Sequence, residues 1–293
     1  MSERLVITGA GGLVGRTLAA EARRRGLEVL ALTSAECDIT DPAAPERHFD
    51  AGDVVVNCAA YTKVDDAEAD EAGARAVNAA GAENVAHACA RAGAELVHVS
   101  TDYVFSGDFG GASPRPYEIG DETGPTSVYG RTKLEGEFEV LSAMPNAHVV
   151  RTAWIYAGVE GGTDFVSVMR KLAAGDGTVD VVADQIGSPT YVGDLVGALL
   201  EVVGGSIEES VLHAANEGAV SRFDQARAVF ELVGADPERV RPVGTDRHPR
   251  PAPRPTYSAL GSTQSTAAGL TPLRPWRDAL AAALSDGPLP STS

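Results

Sequence analysis

Short apolar runs alternating with helical patterns predict an α/β fold for this 293-residue chain: a doubly wound parallel sheet followed by a smaller α/β domain. The runs are nearly free of polar residues, as in strands covered on both faces. They alternate with segments of helical period, as right-handed crossovers require. A Gly-rich turn joins the first run to the first helical pattern, where such a sheet places a nucleotide.

Leu5–Thr8, Val29–Leu32, Val54–Asn57, Leu96–Ser100 and His148–Thr152 read as strands. Leu13–Arg25, Ala67–Arg91 and Val128–Leu141 read as the helices between them. Asp102–Pro125 is too long and too rich in Gly and Pro for an ordinary connection, which marks a functional loop. Beyond residue 155 the alternation loosens, and Pro-rich Arg247–Pro255 has no regular pattern. The expected division is a nucleotide-binding domain at 1–155 and a mainly substrate-binding domain at 156–293, interleaved with the first. Val192–Val203, Arg222–Val233 and Trp276–Leu284 are the clearer helices of the second half, and Asp286–Ser293 reads as a frayed tail.

The net charge of −17, from 24 basic and 41 acidic residues, argues against nucleic acid and anionic membranes as partners. Any phosphorylated ligand then needs local relief from Arg or from backbone N–H groups. Cys37, Cys58 and Cys89 are widely spaced among apolar residues and read as buried, reduced thiols. No metal-ligand spacing appears. No signal-peptide pattern opens the chain and no apolar stretch of 18 residues occurs, so a cytoplasmic protein is expected.

The turn Gly9-Ala-Gly-Gly12-Leu-Val-Gly15 lets the backbone bend tightly and a pyrophosphate approach it, while the helix behind it offers free N–H groups. Its spacing departs from the dinucleotide fingerprint. Strand two ends in Leu32-Thr33-Ser34, with no carboxylate to repel a 2′-phosphate, and Arg16 could pair with one. NADPH is therefore favoured, with NADH possible. Asp38-Ile39 could flank the adenine or form an ordinary turn. Asn57-Cys-Ala-Ala60-Tyr61 closes strand three with small residues that leave room for a cofactor. Lys63-Val-Asp65-Asp66 reads as a helix start. Thr101, at the end of strand four, offers a hydroxyl to a substrate carbonyl.

Tyr129-Gly-Arg-Thr-Lys133 places a phenol and an ammonium on one helix face. A cation there is expected to draw the phenol's pKa down and suit it to acid–base work. The chain has only three lysines, Lys63, Lys133 and Lys171, against 21 arginines, which singles Lys133 out.

Together the glycine turn, the strand-end hydroxyl and the Tyr/Lys pair resemble the extended short-chain dehydrogenase/reductase family. Four segments narrow the resemblance to the dTDP-4-dehydrorhamnose reductases: Ser100-Thr-Asp-Tyr-Val-Phe105, Pro125–Glu137, Arg151-Thr-Ala-Trp-Ile-Tyr156 and Asp184-Gln-Ile-Gly-Ser-Pro-Thr190. Arg254-Pro-Thr-Tyr-Ser-Ala259 fits as well. The resemblance implies a Rossmann-type fold and Thr101, Tyr129 and Lys133 as catalytic triad. It implies Gly9, Gly12, Leu13 and Gly15 at the cofactor phosphates and Ala59, Ala60 and Tyr61 along the cofactor, with Arg16, Asp38 and Ile39 as the further cofactor candidates read from the residues above. It puts Asp102, Tyr103, Trp154, Gln185 and Arg254 near a nucleotide-sugar. Ala157 stands where the family usually has Gly.

The implied reaction is NADPH-dependent reduction of the C4 ketone of dTDP-4-dehydro-L-rhamnose, the last step of dTDP-rhamnose biosynthesis for cell-surface polysaccharide. A monomer or homodimer is expected, with a Mg²⁺ requirement left open. Two other readings stand beside it. One is a nucleotide-sugar epimerase or 4,6-dehydratase, against which Tyr103 stands where a dehydratase carries its second acid. The other is a non-catalytic subunit resembling the regulatory subunit of methionine adenosyltransferase.

Overall fold

The computed structural model describes residues 4–205 and 207–285. Six parallel strands form the central sheet: β1 (Leu5–Thr8), β2 (Val29–Leu32), β3 (Val54–Asn57), β4 (Glu95–Thr101), β5 (His148–Thr152) and β6 (Val211–His213). Their order across the sheet is β2-β1-β3-β4-β5-β6. The chain therefore leaves β1 to one side and returns to its other side at β3. That reversal opens a crevice at the carboxyl ends of β1 and β3.

Period-two alternation sorts the strand residues onto two buried faces. Leu5, Ile7, Val54 and Val56 pack on one face with Leu18 and Ala22 of α1 (Leu13–Arg24) and with α5 (Val192–Val203). Val6, Val55, Leu96 and Val149 face the other way, against α2 (Gly81–Ala92) and α3 (Val128–Ala143). Both faces being covered explains why the strands read as unbroken apolar runs.

The expected helix over Ala67–Arg91 is instead a series. Val64–Ala67 and Glu71–Arg75 are separate short helices, and a π-helical stretch over Ala76–Ala80 leads into α2. The Asp70 carboxylate accepts from Gly73 N and starts the second of them, a cap inside the helical pattern. Cys37 and Cys89 are buried as expected, while Cys58 is only half-buried. Among the described residues no helix is long and apolar enough to cross a membrane.

Beyond residue 155 the chain forms short strand pairs flanked by α4 (Phe165–Ala173), α6 (Arg222–Leu232) and α7 (Trp276–Ser285). It also returns β6 to the central sheet. Asp102–Pro125 is ordered by aromatic packing, Phe105 stacking on Tyr117 with ring centres 4.1 Å apart. Tyr117 and Ala259–Gly261 exchange backbone hydrogen bonds, Tyr117 N to Ala259 O at 2.8 Å and Gly261 N to Tyr117 O at 2.7 Å. The loop after β4 and the segment around Ser258 are thereby joined over the carboxyl edge of the sheet. The tail Asp286–Ser293 lies outside the described residues.

Candidate active site

Gly9 adopts a left-handed φ of 68°, and a Cβ there would sit 2.5 Å from Ala59 N. Only glycine lets the first turn lie so close to the end of β3. A Cβ on Gly15 would meet Gly9 O at the same 2.5 Å, so the third glycine packs the helix onto its own turn. Gly12 caps α1 with no side-chain hydrogen bond, and the first turn of the helix carries no acidic residue. By contrast Ser127, Asp164 and Ser221 cap α3, α4 and α6 with side-chain oxygens. The uncapped N–H groups and positive dipole end of α1 fit a pyrophosphate. Leu13 opens that turn, and Arg16 is exposed beyond it with no ion partner among the described residues.

The end of β2 differs from expectation. Glu36 folds back so that its carboxylate accepts from Thr33 N at 2.8 Å and Thr33 Oγ1 at 2.7 Å. A carboxylate therefore does stand there, supplied four residues beyond the strand, where a one-turn reversal carries it back. Asp38 makes a local turn, accepting from Thr40 N and Oγ1, and Ile39 is buried against Gly81. Ala59, Ala60 and Tyr61 are half-buried past the end of β3, and Tyr61 N donates to Asn78 Oδ1 at 2.8 Å.

The catalytic candidates meet where α3 crosses the end of β4. Ser127 caps α3 by accepting from Gly130 N at 3.1 Å. Gly130 lies against Tyr103 O, and Gly136 against Asn78 O, so close that any Cβ would overlap. These two glycines bring the helix down onto its neighbours. Tyr129 is thereby brought beside Thr101, close enough for that hydroxyl to bear on the phenol. Thr101 Oγ1 donates to Asp102 Oδ1 at 3.1 Å, and Ser258 Oγ donates to Asp102 Oδ2 at 2.5 Å. The edge of the Tyr103 ring faces Tyr129, with centres 5.5 Å apart.

Tyr129 and Lys133 share a helix face but no hydrogen bond. Lys133 is 1% exposed, and its Nζ donates to Val99 O at 2.8 Å and lies 3.1 Å from His98 Nε2. The expected lowering of the phenol's pKa is not met. Burial pushes Tyr129 up, and the Asp102 carboxylate adds to that while the Thr101 hydrogen bond opposes it. Burial also pulls Lys133 down to about 8 and raises Asp102 to about 6. The geometry keeps the phenol protonated, the form needed by a proton donor.

On the far wall, Trp154 holds a left-handed φ of 45° and presses its ring on Gly187, where a Cβ would overlap it. The guanidinium of Arg222 lies over that ring at 3.5 Å and over Phe165 at 4.8 Å. Arg222 has no carboxylate partner among the described residues, and burial draws its pKa down to about 10. Arg254 donates to Asp65 at 2.5 Å, which turns the expected free cation into half of an ion pair with the Lys63–Ala67 segment. Gln185 Nε2 donates to Thr245 Oγ1 at 3.0 Å and so anchors the loop beyond it.

Arg222, His98 and Ser258 were not singled out from the sequence. His98 did carry a signal: Leu96, His98 and Ser100 share one strand face, so a histidine and a serine point at a covering helix. Among the described residues no three His, Cys, Asp or Glu side chains converge as a metal site.

The dTDP-4-dehydrorhamnose reductase of Mycobacterium tuberculosis is 65% identical over 292 residues, covering 100% of this chain and 95% of its own. The enzyme of the same name from Mycolicibacterium smegmatis is 63% identical over 301 residues, covering 100% of this chain and 90% of its own. The crystal structure of dTDP-4-dehydrorhamnose reductase from Bacillus anthracis in complex with NADP superposes with a TM-score of 0.87 at 34% identity, covering 96% of this chain and 98% of that one. The sequence profile described as the RmlD substrate binding domain matches residues 3–287, and the chain belongs to that family.

Proposed function

We propose that this protein reduces the C4 ketone of dTDP-4-dehydro-L-rhamnose to give dTDP-L-rhamnose, with NADPH as the preferred reductant. Family membership supports the reaction, and the placing of Tyr129 beside Thr101, itself hydrogen bonded to Asp102, carries it. Bound NADPH supplies the hydride. The α1 N-terminus and the Gly9–Gly15 turn hold its phosphates, and Ala59, Ala60 and Tyr61 line its path. Residues 1–155 carry this half of the site, and 156–293 mainly cover the sugar.

Tyr129 donates its proton to the oxygen that becomes the alkoxide. Thr101 orients that oxygen by turning its hydroxyl proton to it from Asp102, which accepts that proton in the cofactor-free protein. Asp102, accepting from both Thr101 and Ser258, fixes the orientation of the Thr101 hydroxyl. Trp154, Arg222, Gln185 and Arg254 surround the nucleotide, Arg222 facing the diphosphate charge and Arg254 joining it by exchange from Asp65. Elimination chemistry would need a second acid after Asp102, and Tyr103 stands there with its ring edge on Tyr129.

The test is NADPH oxidation followed by absorbance with dTDP-4-dehydro-L-rhamnose supplied, repeated with NADH. Turnover with formation of dTDP-rhamnose is expected. A purified protein that binds NADPH but leaves the keto-sugar unreduced would overturn the assignment.

A further inference from the structure

The polar network behind the site fixes where its protons lie. Asn57 Oδ1 accepts from Thr8 Oγ1 at 2.7 Å and from the backbone N–H of Ala59 at 3.1 Å. A backbone N–H can only donate, so the amide cannot be turned over. Asn57 Nδ2 is then the atom that faces His98 Nδ1 at 3.1 Å, and it too can only donate. His98 Nδ1 is therefore the acceptor, and a neutral ring carries its proton on Nε2.

That proton points at Lys133 Nζ, 3.1 Å away. An ammonium has three donors and no lone pair, so it would set donor against donor in a fully buried contact. An uncharged amine accepts from His98 Nε2–H with its lone pair and still donates to Val99 O. Charging the imidazole instead puts an Nδ1–H against Asn57 Nδ2 and is worse. Only the uncharged amine satisfies every atom from Thr8 to Val99.

The surrounding charges agree. On β4 the only titratable neighbour is His98, itself held well below its ordinary value by burial and by Lys133. Cys58, just past β3, has its thiol pushed up to about 12 by burial and stays neutral. On α3 itself, Tyr129 is a neutral phenol, and Glu137 is engaged by Arg151 of β5 in hydrogen bonds of 3.0 and 2.7 Å. Among the described residues no carboxylate is left over for Lys133.

We propose that His98 is a positioning residue that holds Lys133 as an uncharged amine in the cofactor-free protein in mildly basic solution, and that cofactor binding there is coupled to uptake of one proton by Lys133. The proton comes from solvent and bonds to the Nζ lone pair, and the Nε2–H···Nζ hydrogen bond breaks. No other bond changes and nothing is oxidised. The ammonium then turns from the ring toward acceptors that the cofactor brings, balancing part of its phosphate charge in an acidic protein. The coupling rests on the NADPH reading above, while the uncharged amine does not.

Because the chain has three lysines and Lys63 and Lys171 are exposed, lysine labelled with ¹⁵N at Nζ gives three signals to titrate. In the cofactor-free protein the Lys133 signal is expected to change near pH 8, well below the ordinary lysine value of about 10.4, and the Lys133→Met variant identifies it. His98→Gln offers an amide oxygen that can accept from an ammonium, and should raise that midpoint by a unit or more. Calorimetric titration with NADP⁺ at pH 9, in two buffers of different ionisation enthalpy, should show uptake of about 0.9 proton per site in the wild type. The His98→Gln variant should take up far less. A Lys133 signal that changes only near the ordinary lysine value of about 10.4 overturns the uncharged amine. An early Lys133 midpoint with no proton uptake on NADP⁺ binding overturns the coupling alone. Absence of NADP⁺ binding instead removes the cofactor reading. Both wild-type arms decide the proposal should His98→Gln fail to fold.

Discussion

Helix α3 sets two buried polar contacts on β4, one helical turn apart, and they are built on opposite plans. Lys133 lies over His98, and Glu137 lies over Ser100. The match is geometric, since one helical turn spans nearly the same rise as two strand residues, about 6–7 Å. Glu137 is complete: Arg151 grips both its oxygens and Ser100 Oγ donates to it at 2.5 Å. Lys133 is equally buried, and among the described residues no carboxylate forms an ion pair with it. The cleft wall repeats the contrast, with Arg254 joined to Asp65 and Arg222 resting on Trp154 without a carboxylate. Balanced charges here secure the fold, while on the proposed function the unbalanced ones would meet ligands that bring the missing half.

The largest effect should come from the reacting end. Tyr129→Phe is expected to lower turnover by about 10²–10⁴-fold while leaving NADPH affinity and stability near wild type. Turnover within threefold of wild type would detach the Tyr129–Thr101–Asp102 series from the chemistry. Breaking the balanced contact should do the reverse. Glu137→Ala leaves Arg151 buried without a partner and should cost about 3–5 kcal/mol of stability by denaturant unfolding. Activity per folded molecule should change far less than in Tyr129→Phe.

The unbalanced contact gives a smaller effect of opposite sign. Lys133 has a folded pKa of about 8, below its ordinary value, so the unfolded chain binds more protons between those two pH values. Stability contributed by this site therefore rises with pH above 8, and below 8 the buried ammonium is a cost. Lys133→Met should stabilise the cofactor-free protein at pH 7 by roughly 1–3 kcal/mol, partly offset by the stranded His98 N–H, while turnover collapses. The gain should shrink toward pH 10. A loss of stability at pH 7 would show that Lys133 is paired after all.

On the cleft wall, Arg222→Ala should raise KM for the nucleotide-sugar about tenfold, with kcat and NADPH affinity little changed, as expected for one desolvated cation–diphosphate contact. Arg254→Ala should do less, because its guanidinium must first leave Asp65. An equal effect of both substitutions would remove the distinction between paired and unpaired cations.

The fold was legible because the strands from β1 to β5 are buried on both faces and so are written as apolar runs. β6 was missed: Val211–His213 is three residues long, too short to show a period. The helix over Ala67–Arg91 was misread because the apolar pattern continues through the cap at Asp70 and the π stretch after it. In the site, the glycine turn and the Tyr129/Lys133 spacing are local, so sequence could find them. The partners that set their chemistry are not local: His98 lies 35 residues from Lys133, and Ser258 lies 156 from Asp102. Direction of the pKa shift at Tyr129 was misjudged for the same reason. Spacing shows which side chains share a face, while burial decides whether they touch.

The smallest expected effect lies at the exposed end of the crevice, where both charges are wet. Glu36 is fully exposed, and its hydrogen bonds from Thr33 hold its carboxyl below the usual range, so it is ionised through neutral pH. At the end of β2 such a carboxylate accepts from a ribose hydroxyl and repels a 2′-phosphate, while Arg16 across the glycine turn acts in the opposite sense. Glu36→Gln should shift the NADPH/NADH ratio of kcat/KM toward NADPH, and Arg16→Ala toward NADH, each by roughly twofold to fivefold. Both shifts should fade as salt is raised, unlike the effects of Glu137 and Lys133, because a screening length of about 8 Å reaches solvated charges and not buried ones. If neither substitution moves the ratio at low salt, the ribose end of the cofactor is read by shape, and the contrast between wet and buried charges stops at the cleft.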